Sequence, residues 1–270
     1  MHGKIKKNDY GVRAMILAID IGNTNIVIGC IDKNKVYFTA RTATDRTKTE
    51  DQYGIQIKNI LELYSIERSE ITGGIISSVV PPVSNAIKSA VAMVIGKQPL
   101  IVGPGVKNGL NIVMDNPASV GSDLIVNAVA ALAQHKPPMI IIDMGTATTL
   151  SVIDENKNYI GGCIIPGVKI SIDALSSRTA QLPAISLESP KHAIGKNTVD
   201  CMRSGVLYGN AAMIDGMIER LSAEIGGEGN VTAIATGGLA KVVIPHCRHE
   251  IIIDDELLLK GLYIIYCKNQ

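Results

Sequence analysis

Three short stretches concentrate the residues that can do chemistry. DIGNTN at 20–25 and DMGTAT at 143–148 each place an aspartate two residues before a glycine, followed by small polar residues. VGSD at 120–123 sets Asp123 in the first turn of a segment with helical spacing. A tight turn between two strands directs backbone N–H groups and hydroxyls at phosphate oxygens, and Gly22 and Gly145 permit the close approach this needs. Thr24, Thr146, Thr148 and Thr149 can donate hydrogen bonds. An ionised Asp20 cannot donate to phosphate and suits a magnesium ion or its water shell, which takes hard oxygen ligands. Either loop alone reads equally as an ordinary hairpin turn rich in Asx and Thr contacts. Two echoing loops point to a nucleotide site between two domains.

Asp123 also has two readings. A carboxylate at a helix start gains from the helix N-terminus, which lowers its pKa. The same group could orient a substrate hydroxyl and take its proton late in phosphoryl transfer, where positioning and charge stabilisation dominate. Other nucleotide and nucleophile signatures are missing: there is no GxxxxGK[ST], no GxGxxG at a first strand–helix turn and no GxSxG. Isolated residues such as His246 and Cys247 read as packing or surface positions.

The elements that must position these loops follow from the apolar pattern. MILAI, IVIGCI and KVYFTA form a meander of strands from Met15 onward, with DIGNTN as its first loop. Thr49 and Glu50 precede a helical segment, DQYGIQIKNILELY. The strand ITGGIISSVV stops at Pro81 and Pro82, which open a helix presenting Ala86, Ala90 and Val94 on one face and ending near Gly96. A helix is expected from Ser122, as its cap, to about Gln134. A second meander, MIIIDMGTATTLSVIDENKNYIGGCII, leads to a helix through ISIDALSSR and a long connection, TAQLPAISLESPKHAIGKN. A helix over roughly 199–225, the strand VTAIAT and a last helix, DELLLKGLYIIYC, complete the chain.

The two meanders echo each other at a spacing of 123 residues, down to the turns IDKNK at 31–35 and IDENK at 153–157. The pattern implies duplicated α/β domains over 15–118 and 119–270, after an N-terminal extension over 1–14. Composition agrees: 46% of the 270 residues are hydrophobic but only 3% aromatic, so the core must be aliphatic, as in sheets covered by helices. A formal charge of +1 gives no global basic field, and neither a nucleic acid nor a membrane partner is expected. Five cysteines without CxxC spacing read as free thiols in a reducing cytoplasm.

Eight motifs occur in order: DIGNTN, SSVVPP, GPGVKNGL, DNPASVGSD, DMGTATT, GGCIIPG, TAQLP and TGG at 236–238. Together they resemble the type III pantothenate kinases, over essentially everything after the extension. The resemblance implies duplicated ribonuclease H-like domains of the actin-like, acetate and sugar kinase and Hsp70 class, each a mixed sheet flanked by helices. It implies that Asp20, Ile21, Gly22, Asn23, Thr24, Asn25, Ile26 and Val27 line the phosphates of ATP, with magnesium near Asp20. Thr146, Gly237 and Gly238 would lie on the nucleotide side, and Asp143 would hold potassium or ammonium. Asp123 would be the base toward the pantothenate hydroxyl, with Gly121, Ser122 and Thr179 binding that substrate. A cytoplasmic homodimer with pantothenate close to the subunit boundary is implied as well.

The acceptor side departs from the family pattern. The usual G-A-D-R or G-S-D-R reads G-S-D-L here, with Leu124 in the arginine position, and Met114 stands where the family has a tyrosine. Ser119 replaces a common glutamate. A forked guanidinium and a hydroxyl are thus missing from the expected substrate-binding set Met114, Gly121, Ser122, Asp123, Leu124 and Thr179. A second reading follows, of a relative that binds nucleotide but has changed its acceptor or acts in regulation of transcription.

Overall fold

The computed structural model describes residues 14–226 and 230–270, so all but the last residue of the expected N-terminal extension lies outside the described residues. The chain forms two compact units that divide after Gly103.

In the first unit the nearly unbroken apolar run from Met15 makes a strand covered on both faces, β1 (Met15–Ile21), and Asp20 is its one charged residue. It pairs antiparallel with β2 (Asn25–Ile31), which pairs with β3 (Val36–Ala43). A capping box between Thr49 and Gln52 starts α1 (Glu50–Leu63), whose buried residues include Tyr53, Gly54, Ile57 and Leu61. The chain returns as β4 (Ile71–Ser78), parallel to β1. Pro81 opens α2 (Pro81–Ile95), and Gly96, at φ 72°, closes it in the left-handed conformation that glycine adopts without strain. The short β5 (Leu100–Ile101) completes a sheet of order β3-β2-β1-β4-β5. The buried face of α2 centres on Val83, Ile87, Ala90 and Val91, whereas Ala86 and Val94 sit at its margin. The expected face was therefore displaced by about one residue, because the larger branched side chains take the centre.

The second unit opens with β6 (Asn111–Ile112) and α3 (Ser122–Gln134). Its meander is β7 (Met139–Met144), β8 (Ala147–Ile153) and β9 (Asn158–Pro166). Then come α4 (Val168–Arg178), the long helix α5 (Thr198–Glu224), β10 (Thr232–Thr236), α6 (Ala240–Val243), β11 (Ile252–Ile253) and α7 (Leu257–Lys268). The order β11-β10-β7-β8-β9-β6 contains the first sheet's order again, read from β9 to β11, with β6 added at the edge. Ile140, Ile142 and Leu150 face Leu207 and Ile214 of α5 on one side of the sheet. Met139, Ile141 and Ile153 face Ala128 and Ala131 of α3 and Leu257 of α7 on the other.

The boundary expected at 118 falls earlier. Residues 104–118 join the second unit because β6 runs parallel to β9, and Leu110 and Ile112 pack on that unit's apolar cluster. Lys107 and Asn269 exchange two hydrogen bonds, of 3.0 and 2.8 Å, that pin the segment to the end of α7. Two-residue strands such as β6 and β11, and the single turn α6, carry too little pattern to be read from sequence.

Candidate functional site

In the first unit the DIGNTN loop is a clamped turn. Asp20 lies opposite Val27 in the β1–β2 register and is buried, at 8% exposure. Gly22 N–H donates to the Asn25 carbonyl at 3.0 Å, closing the turn over Asn23 and Thr24, both exposed. Thr44, just past β3, holds the loop at two points. Its hydroxyl donates to the Gly22 carbonyl at 2.7 Å and its N–H to the Thr24 carbonyl at 2.9 Å. Sequence reasoning missed Thr44; its one signal is a threonine where the third strand ends. Ile21 and Ile26 point into the core, Val27 is half-buried, and Asn25 begins β2. Ile21 and Ile26 therefore build the loop's foundation, while Gly22, Asn23, Thr24 and Asn25 form its surface.

The second unit repeats the device with one residue fewer. Asp143 lies opposite Thr149 in the β7–β8 register, and Gly145 N–H donates to the Ala147 carbonyl at 3.1 Å. Thr146 is exposed at the tip. Behind this loop, Gly167 at the start of α4 packs on the Thr146 and Gly145 carbonyls, leaving no room for a β-carbon. In front of it stands Gly237, at φ 95°, where a β-carbon would come within 2.7 Å of Asp143 Oδ1 and of the Met144 backbone. Gly238 follows, exposed, after β10. TGG is thus glycine-rich for a steric reason: the turn after β10 presses its backbone against the Asp143 loop.

Asp123 sits in the first turn of α3, and Gly121, not Ser122, is the N-cap. Ser122 is the first helical residue, so the expected serine cap is replaced by a residue whose backbone carbonyl accepts from Ile125 N–H. The Asp123 carboxylate accepts from Leu124 N–H at 2.9 Å. Burial pushes its carboxyl up, the N–H groups of Leu124 and of Asp123 itself pull it down, and burial prevails. The lowered pKa expected from the helix start is therefore reversed, because desolvation outweighs the helix N-terminus here. The same carboxylate is close enough to Tyr159 to help raise its phenol, after the larger effect of burial.

One helical turn after Asp123 comes Asn127, 1% exposed, whose Nδ2 donates to Asp143 Oδ2 at 3.0 Å. The second unit thus gathers Asn127, Asp143, Gly145, Thr146 and Gly237 around one end of its sheet, with Asp123 one helical turn before Asn127. Asn127 was missed from sequence, although a lone amide inside the apolar run LIVNAVAAL was a visible signal.

Other expected residues lie apart from this group. Leu124 is half-buried and packs against the apolar cluster under α3, as Leu110, Val120 and Leu132 do. Met114 is exposed, two residues past β6, and its neighbour Val113 donates to the Tyr159 carbonyl at 2.8 Å. Thr179 is exposed at the end of α4, and its hydroxyl donates to the Leu175 carbonyl at 2.8 Å.

The residues present suit hard cations of low protein coordination. Among the described residues no group of three or more His, Cys, Asp or Glu could hold a metal ion. Asp20 offers one buried carboxylate, enough for magnesium that keeps water and phosphate oxygens as its other ligands. Opposite Asp143 in register, Thr149 Oγ1 is a buried oxygen with no hydrogen-bond partner, a donor that fits a monovalent cation held by the Asp143 carboxylate.

Two meanders, each with parallel strands added beside its first strand and an Asp-Gly loop at the end of that strand, define duplicated ribonuclease H-like domains of the actin-like ATPase and sugar kinase class. Among solved structures the chain resembles one described as a Baf family transcriptional activator from Campylobacter jejuni, at TM-score 0.60 and 20% identity, over 94% of this chain and 98% of that one. It also resembles MreB 5 of Spiroplasma citri, solved with AMPPNP bound, at TM-score 0.55 and 11% identity, over 95% and 97% of the two chains. The family model for type III pantothenate kinase matches residues 16–220. A type III pantothenate kinase from an Exiguobacterium species is 46% identical over 256 residues, 95% of this chain and 100% of that one. The chain belongs to the type III pantothenate kinase family.

Proposed function

We propose that this chain transfers the γ-phosphoryl group of ATP to the pantothenate hydroxyl, giving 4′-phosphopantothenate, the first step of coenzyme A biosynthesis. The observation that supports this most is Asp123, a partly desolvated carboxylate one helical turn before the Asn127 that donates to Asp143, in a chain of this family. Asp123 accepts the hydrogen bond of the bound hydroxyl and so aims its oxygen at the γ-phosphorus. As the new O–P bond forms and the bond to the bridging oxygen of ADP breaks, the proton passes to Asp123. Its raised pKa makes it a better proton acceptor than an ordinary aspartate.

The loop N–H groups and Thr24 and Thr146 bind phosphate oxygens, with residues 20–27 and Gly237 and Gly238 toward the nucleotide. Asp20 would hold magnesium and Asp143 potassium or ammonium, and these cations supply charge neutralisation on the phosphates. Gly121, Ser122 and Thr179 contact pantothenate, and the working form is a cytoplasmic homodimer. Among the described residues no helix is long and apolar enough to cross a membrane.

One observation favours a second reading. Leu124, in the family's arginine position, is committed to an apolar cluster, which suits a relative that binds nucleotide and has lost or changed its acceptor. A product assay with ATP and pantothenate separates the two. Phosphopantothenate formed in a potassium- or ammonium-dependent manner, and abolished by Asp123→Asn, supports the kinase. ATP binding without product at saturating pantothenate overturns it.

A further inference from the structure

Asp143 is oriented by its neighbours. Its Oδ2 accepts from Asn127 at 3.0 Å, while Oδ1 is the oxygen nearest the glycine walls, 2.7 Å from a β-carbon placed on Gly237 and 3.5 Å from one on Gly145. The carboxylate is therefore split between two surroundings, with α3 on one oxygen and the loop backbone on the other. The amide has one sensible orientation. Turned over, its carbonyl oxygen would face a carboxylate oxygen, so Nδ2 must point to Asp143. Asn127 is 1% exposed. A polar side chain placed there among Val126, Ala128, Val129, Ala130 and Ala131 costs desolvation that a methyl-bearing residue would avoid. Packing alone does not call for an amide.

We propose that Asn127 is a positioning residue that fixes the rotamer of Asp143, turning Oδ1 toward the Gly145 and Gly237 backbone where the monovalent cation is held. Because Asn127 lies one turn from Asp123 on the same helix face, it also ties the helix that carries the base to the loop that carries the cation carboxylate. This rests on the reading of Asp143 as the cation ligand given above.

The test uses the full-length protein with ATP and follows both the melting midpoint and the initial rate as potassium replaces sodium at constant ionic strength. Wild type is expected to gain thermal stability and activity with potassium. Asn127→Ala and Asn127→Leu both remove the donor to Asp143, and each should raise the potassium concentration for half-maximal effect by about tenfold or more, the size of one hydrogen bond to a charged group. Asn127→Leu has nearly the same size and shape without a donor or a charge, so a folded variant is at hand if the cavity left by alanine proves too costly. Variants that melt earlier yet keep the wild-type potassium midpoint would reduce Asn127 to a structural role and overturn the inference. A wild type that responds to neither potassium nor ammonium overturns the cation reading of Asp143 itself, which is a separate failure.

Discussion

The backbone of Gly167 lies directly against the carbonyl oxygen of Thr146, so closely that no side chain fits between them. The contact joins the first residue ahead of α4 to the tip of the second Asp-Gly loop. It sets the height of Thr146 and of the N–H groups around it.

Gly167→Ala should therefore push the 145–146 loop outward. The expected result is a loss of about 1–3 kcal/mol in stability, typical of overpacking, together with a raised KM for ATP and a smaller change in KM for pantothenate. Denaturant unfolding and steady-state kinetics measure both. An alanine variant with wild-type stability and KM would show that the loop moves aside freely.

Asp123→Asn should separate activity from stability. Burial raises the Asp123 pKa in the fold, so the native state binds a proton more tightly than the unfolded chain does. The stabilisation that protonation brings is full below the unfolded pKa and is lost as pH rises through the folded one. The ionised form is the one that burial penalises, and asparagine removes it while keeping an oxygen for Leu124 N–H. The variant should lose phosphoryl transfer and melt at a temperature equal to or above that of wild type. In wild type the rate should fall, as pH drops, from a higher pH than an ordinary aspartate would give. A lower melting temperature for the variant contradicts the account.

Leu124→Arg tests the departure from the family pattern. If a guanidinium on the acceptor is what this chain lacks, KM for pantothenate should drop about tenfold, the size of a charge-assisted contact. Leu124 is also part of the cluster with Leu110, Val120 and Leu132, so the same change should cost about 1–2 kcal/mol of stability by exposing apolar surface. Stability lost without any gain in KM would mean that the arginine position is not limiting in this chain.

Asp215 predicts an acid-labile joint. Burial would raise its pKa, but hydrogen bonds from Arg248 N–H, the His249 ring and His249 N–H, with the nearby His249 charge, hold it below the ordinary carboxylate range. Its contribution is present above the unfolded pKa and disappears as pH falls through the depressed folded one. Asp215→Ala should cost about 2–4 kcal/mol at neutral pH and much less in strong acid, where wild type has lost the same bonds. Urea melts at a series of pH values read the difference; a constant difference from pH 7 down to strong acid would count against it.

The fold was largely legible because its signal is redundant. Two meanders with matching Asp-Gly loops and turns appear in one chain, and long apolar strands such as MILAIDI leave little freedom of assignment. The positions of Asp20, Asp143 and Gly237 at strand ends followed from the same pattern. Thr44 and Asn127 were not legible because their roles depend on partners 20 and 16 positions away or more, reached only through sheet closure and helix packing. The sign of the Asp123 shift escaped for a related reason. Sequence shows the helix start, but only the packed structure shows how little water reaches it.

The parallel pairing of β1 with β4, and of β7 with β10, puts each Asp-Gly loop at the same end of its sheet as the turn that follows the parallel strand. The turns at the other end, around Lys33 and around Glu155 to Lys157, are exposed and joined to the Asp-Gly loops only through several residues of buried strand. Those far turns are natural attachment points. A fluorophore, an affinity peptide or a tether to a sensor surface placed there would report on the molecule from a distance, without trespassing on its chemistry.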